Sequence, residues 1–155
     1  MGDVVPPVLR LCLALTALAA AALALAGCTV GASEEKLADL DAAGQALVPA
    51  GAEIVDTTRG ACVQLRGNPT CVRVYFVSSL SEEDRVAAVE ESARESGWTV
   101  VSAEDLRDGT WMHLRREGLQ AFAAIWDDER AAPCREGDPS RACADELQVI
   151  EDPES

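Results

Sequence analysis

The side chains in this sequence best suited to chemistry are six cysteines and a single histidine. Cys62 and Cys71 form a C-x8-C pair, and Cys134 and Cys143 form a second. Each interval holds a reversal signal, Gly67-Asn68-Pro69-Thr70 in the first and Gly137-Asp138-Pro139-Ser140 in the second. Glycine frees φ there, and an Asx-Pro step starts a turn. Four cysteines allow three pairings. A turn midway in each interval favours Cys62 with Cys71 and Cys134 with Cys143, which implies an oxidising compartment. Closing loops this small contributes roughly 2.5 to 3 kcal/mol each on the loop-entropy account. A four-thiolate metal site is the competing use, but its ligands usually come as C-x2-4-C. Redox catalysis would want a C-x-x-C, which is absent. No metal and no cofactor is expected.

His113 lies in a β-prone stretch, Thr110 to Arg116, with Trp111 and Arg115 on the same alternating face. General acid-base or nucleophilic work needs a partner beside it, and no G-x-S-x-G or H-E-x-x-H motif supplies one. The expectation is a half-exposed strand histidine, with no catalytic residue assigned. Asp127, Asp128 and Glu129 lack the spaced D-x-D-x-D-G pattern of a calcium loop and read as a solvated acidic run.

The amino terminus explains the two remaining cysteines. Arg10 precedes an uncharged run, Leu11 to Ala26, that is shorter than the roughly 20 apolar residues a span requires and ends at small residues. That is the layout of a signal peptide. Leu25-Ala26-Gly27-Cys28 resembles a bacterial lipobox. The resemblance implies cleavage after Gly27, diacylglyceryl transfer to the Cys28 thiol, and a lipid bilayer as the first partner, with Cys12 leaving in the discarded segment. Two or more acyl chains, at about 0.8 kcal/mol per buried methylene, anchor stably. Residues 1–27 are expected to be the signal peptide, and 28–32 the lipidated terminus and a short tether. With its frequent Ala, Arg, Asp and Glu and its single Lys, the chain is similar to small actinobacterial lipoproteins, a likeness that brings no particular activity with it.

What remains is the size of one domain. The net charge of −14 repels nucleic-acid phosphates and anionic head groups, so no nucleic-acid partner is expected. Ser33-Glu34-Glu35 and Ser81-Glu82-Glu83-Asp84 both carry helix-start chemistry. Apolar stripes follow each, through Leu37, Leu40 and Leu47, and through Val86, Val89 and Ala93. Ala52 to Thr57, and then Cys71 to Val77 with Val72, Val74 and Phe76 on one face, read as strands. Trp98 to Ala103, Thr110 to Arg116 and Leu119 to Trp126, joined by Asp-Gly and Glu-Gly turns, read as an antiparallel meander. The order α-β-β-α-β-β-β predicts an α+β two-layer sandwich over 33–126, with about five strands in an antiparallel-rich sheet and two helices on one face. Residues 127–155 hold ten acidic residues against three arginines and are expected to form an acidic, disulfide-stapled appendage and tail.

Parity assigns Tyr75, Trp111 and His113 to the sheet face that the helices leave open, where aromatic side chains are candidate contact residues. The resulting expectation is a non-enzymatic binding module on the outer face of the cytoplasmic membrane, meeting an envelope protein or a wall component. The alternative is a small extracytoplasmic hydrolase using His113 with a partner that the sequence does not identify.

Overall fold

A computed structural model describes residues 33–62, 69–137 and 139–152. The chain divides between Gly31 and Ala32, and all the described residues belong to the second unit. The expected signal peptide, Cys28 and the expected tether therefore lie outside the described residues, as do 63–68, 138 and 153–155. Among the described residues no helix is long and apolar enough to cross a membrane.

Helix α1 (Glu34–Gln45) starts where the Ser33 hydroxyl accepts the Lys36 N–H at 3.2 Å, with Glu34 and Glu35 in the positive first turn. Its inner side buries Leu40 and Ala43. Gly44 interrupts good helix formers because a Cβ there would come within 3.0 Å of the Val74 side chain. At that point the helix backbone itself rests on the sheet. Helix α2 (Glu82–Glu95) repeats the cap, Ser81 Oγ accepting the Asp84 N–H at 3.2 Å, and buries Arg85, Val89 and Ala93. Gly97 ends it with φ 76°, a conformation that favours glycine.

The strands are β1 (Glu53–Ala61), β2 (Thr70–Val77), β3 (Thr99–Leu106), β4 (Gly109–Arg116), β5 (Leu119–Trp126) and β6 (Asp145–Glu151), all paired antiparallel in the spatial order β1-β2-β6-β5-β4-β3. Val72, Val74 and Phe76, Met112 and Leu114, Ala121, Ala123 and Ile125, and Leu147 and Val149 form one buried face. Helices α1 and α2 pack on that face. The protein is thus an α+β sandwich of helices on an antiparallel sheet.

The carboxyl-terminal segment differs from expectation. The described part of the expected appendage, 127–137 and 139–152, is not separate from the domain: it supplies helix α3 (Asp128–Arg135) and β6, which is inserted between β2 and β5. The physical reason is a short period of two. Leu147 and Val149 alternate with Glu146 and Gln148, both backbone edges find partners, and the buried acid of the strand, Asp145, is paired with Arg85.

Both C-x8-C pairs are closed, Cys62 to Cys71 and Cys134 to Cys143, each with Cα atoms 5.7 Å apart. They sit on the face away from α1 and α2. Cys134, Cys143 and Ala144 pack over Tyr75, while Cys62 and Cys71 pack with Ile150 against the side of Phe122.

Arg85 is 1% exposed and gathers the elements around the start of α2. Its guanidinium donates to Leu80 O at 2.7 Å, to Trp126 O and to Asp128 Oδ1 at 3.2 Å, and its Nε lies 2.9 Å from Asp145. Asp145 also accepts the Trp126 N–H at 2.9 Å. Burial pushes the Asp145 carboxyl up to about 6, against the Arg85 charge and the Trp126 hydrogen bond that hold it down.

Candidate functional site

The antiparallel register lines up one row of side chains across the open face: Asp56, Tyr75, Glu146, Ala124, Trp111 and Glu104, from β1 to β3. The neighbouring row is Thr58, Arg73, Gln148, Phe122, His113 and Ser102. The two disulfides, Cys62–Cys71 and Cys134–Cys143, flank these rows, and what lies between them is the candidate contact surface.

Trp111 is 43% exposed and its position is set from behind. Its ring meets Trp126 edge to face, with centroids 6.2 Å apart and planes at 81°. Trp126 is itself fixed, donating Nε1–H to Ala144 O at 2.8 Å and carrying the Arg130 guanidinium 3.4 Å from its ring centroid. Beside Trp111, Ala124 leaves a notch of about 60 Å³ walled by Trp111, Phe122, Glu146 and Gln148. Arg73 lies 3.5 Å from Glu146, longer than a charge-assisted hydrogen bond. Burial pushes the Glu146 carboxyl above its ordinary value, with Arg73 opposing.

Tyr75 departs from the sequence expectation. It has the anticipated parity but is only 7% exposed, because Cys134, Cys143 and Ala144 cover it and Arg141 lies 5.4 Å over its ring. It is part of a small second core, not of the contact surface. His113 keeps its expected face but is stacked on Phe122, with centroids 4.9 Å apart and planes 8° from parallel. Its Nε2 is buried without a hydrogen-bond partner among the described residues. Ser102 faces His113 across the β3–β4 ladder, and among the described residues no hydrogen bond joins them.

Asp128 and Glu129 are exposed, as the sequence suggested, but Asp127 and Asp128 also make specific structural contacts. Asp127 caps α3, its carboxylate accepting the Arg130 N–H at 2.7 Å. Asp128 accepts the Glu82 N–H at 2.9 Å and pairs with Arg85 and Arg135, which hold its carboxyl below the usual range, Arg135 most strongly. Among the described residues no cluster of His, Cys, Asp and Glu is arranged to hold a metal ion. The larger concavities lie elsewhere. One of about 500 Å³ runs between α1 and the β4–β5 turn, spanned by a Lys36–Glu151 ion pair at 2.5 Å. Another, lined by Glu82, Glu83, Asp105 and Thr110, opens at the start of α2.

Sequence reasoning missed Ala124 as the notch of the site and Glu104 and Glu146 as its flanking charges. The alternation in β5 and β6 carries all but one of these, once β6 is recognised as a strand. Glu104 follows from the cross-strand register with Trp111, which a bulge between Val100 and Ser102 shifts by one residue. Compared with protein-family models, with curated proteins and with solved structures, the chain shows no significant match.

Proposed function

We propose that this protein is a lipid-anchored, extracytoplasmic binding module, without catalytic activity, that meets an envelope protein or wall component through the open sheet face. The observation that carries this reading is Trp111, a large aromatic ring packed against Trp126 and left 43% exposed beside a notch of mixed polar and apolar lining. Rigid, exposed aromatic side chains lose little conformational entropy on binding and contribute disproportionately to contact energy. The Leu25-Ala26-Gly27-Cys28 box supports the anchor, and two disulfides accord with a compartment outside the cytoplasm.

The anchor is tested by metabolic fatty-acid labelling of wild type and Cys28→Ala. Label is expected in the first and none in the second, which should accumulate as unprocessed precursor; label persisting in Cys28→Ala removes the assignment. The contact face is tested by comparing thermal melting with partner capture from membranes. Trp111→Ala is expected to reduce capture severalfold while lowering stability by about 1 to 2 kcal/mol, less than the roughly 3 to 5 kcal/mol of truncating a core tryptophan. His113→Ala should leave fold and capture nearly unchanged. A Trp111→Ala melting loss as large as a core truncation would place the ring in the core, and a His113-dependent hydrolysis would favour an enzyme.

A further inference from the structure

The row that crosses the open face treats its two ends differently. At one end Asp56 of β1 and Tyr75 of β2 are direct cross-strand neighbours, and together they hold the Arg141 guanidinium, which pairs with the Asp56 carboxylate and lies 5.4 Å from the centre of the Tyr75 ring. At the other end Glu104 of β3 and Trp111 of β4 are direct cross-strand neighbours of the same kind. They are a carboxylate beside an aromatic face, and among the described residues no cation lies over that ring. Two further rings are occupied from within the molecule, Trp126 by Arg130 at 3.4 Å and Trp98 by Arg116 at 4.9 Å. Trp111 is thus the tryptophan of the three that is most exposed and is left without a guanidinium.

The charge around it is of the matching sign. Glu104 flanks Trp111 on one side and Glu146 on the other, two strands away across Ala124, so roughly 10 Å separates the Trp111 and Glu146 backbones. A carboxylate offers about four acceptor positions, and the 3.5 Å approach of Arg73 leaves Glu146 capacity to accept more. The chain as a whole carries −14, which draws cationic partners from a distance.

We propose that the Glu104–Trp111–Glu146 row is a docking site for an arginine side chain of a partner polypeptide. The guanidinium lies over the indole of Trp111, between the two carboxylates, as Arg141 lies over Tyr75 beside Asp56. Planar guanidinium groups stack on aromatic faces and bind carboxylates with directed hydrogen bonds, which a compact ammonium does less well. This inference rests on the reading of the open face as a contact surface, and it names the chemistry that surface recognises.

The experiment labels the full-length chain in non-ionic detergent with 5-fluorotryptophan and follows three ¹⁹F resonances at low ionic strength. Trp→Phe variants assign them, and Trp98 and Trp126 serve as internal references. The probe is an N-acetylated, C-amidated Gly-Arg-Gly-Arg-Gly peptide, compared with the same peptide carrying neutral citrulline and with cellotetraose. The expected result is a saturable shift of the Trp111 resonance with the arginine peptide and not with citrulline. Glu104→Gln with Glu146→Gln should raise Kd about five- to tenfold, while Glu35→Gln on α1 should leave it unchanged. Four results overturn the proposal: a silent Trp111 resonance, an equal response to citrulline, equal weakening by Glu35→Gln, or a shift with cellotetraose alone, which would make the ring a saccharide platform. If the peptide is silent while Trp111→Ala still abolishes partner capture, the contact face stands and the arginine assignment falls by itself.

Discussion

Arg85→Met is expected to lower the unfolding free energy by about 3 to 5 kcal/mol, the range for stripping the partner from a buried charge. The replacement fills much of the same space, so the loss is electrostatic. Asp145 keeps its burial without its contacting counter-ion, only the more distant Arg135 charge remaining, and the Leu80 and Trp126 carbonyls lose their donor. Adding Asp145→Asn should recover about half of the loss, because the amide oxygen still accepts the Trp126 N–H and no uncompensated charge remains. Urea unfolding of the two single variants and the double variant gives the coupling directly. Strictly additive losses would show that the pair does not act as a unit. The pH dependence has a definite sign. A carboxyl raised from 3.8 to about 6 by folding binds its proton more tightly in the native state. Its contribution therefore favours folding most at low pH and declines as pH rises through that window, then stays flat above it. Without Arg85 the carboxyl rises further, and the decline should extend above pH 6.

Gly109→Ala is expected to cost about 3 kcal/mol or more, combining backbone strain with overpacking. Gly109 has φ 136°, and a Cβ there would lie 2.1 Å from Ile125 O and 2.8 Å from Trp126 Cα. Both atoms are backbone of the adjacent strand and cannot swing aside, and the Asp127 N–H to Asp108 O hydrogen bond at 3.1 Å ties the same corner. Gly118→Ala is the comparison: its φ is 72°, but nothing lies within 4 Å of the added Cβ, so only the left-handed strain of about 1 to 2 kcal/mol is incurred. Equal thermal destabilisation by the two substitutions would show that strain alone governs both turns.

The contrast between Trp111 and Tyr75 shows what the sequence could convey. Alternation along β2 and β4 placed both rings on the face away from the helices, because side-chain parity is a local property of extended backbone. Whether something then covers that face depends on contacts far along the chain. Tyr75 is covered by a segment some sixty residues later, and no local pattern announces it. The same limit applies to Asp128, whose neighbours in sequence suggest a solvated run while its partners Arg85 and Arg135 lie on two different helices. The strand β6 was hidden for another reason. Its apolar residues, Leu147, Val149 and Ile150, were visible, but the surrounding acids outweighed them in composition, and composition averages over the two faces that a strand separates. Helix starts, turn glycines and the meander from β3 to β5 were legible because each is decided within a few residues.

The seat of β6 also governs the order in which this protein can become whole. It follows the other five strands in sequence, yet within the described sheet it is the strand hydrogen-bonded to both the β1–β2 ribbon and the β5–β4–β3 meander. A chain delivered amino terminus first, from a ribosome or through a secretion channel, presents two half-sheets whose inner edges wait for the final strand. Until residues 145–151 emerge, those edges are open to holdases, to proteases and to one another. A product cut short before Asp145 would therefore not be a slightly smaller module. Its two half-sheets would lack the strand that pairs with both, leaving the inner edges of β2 and β5 open for quality control to recognise.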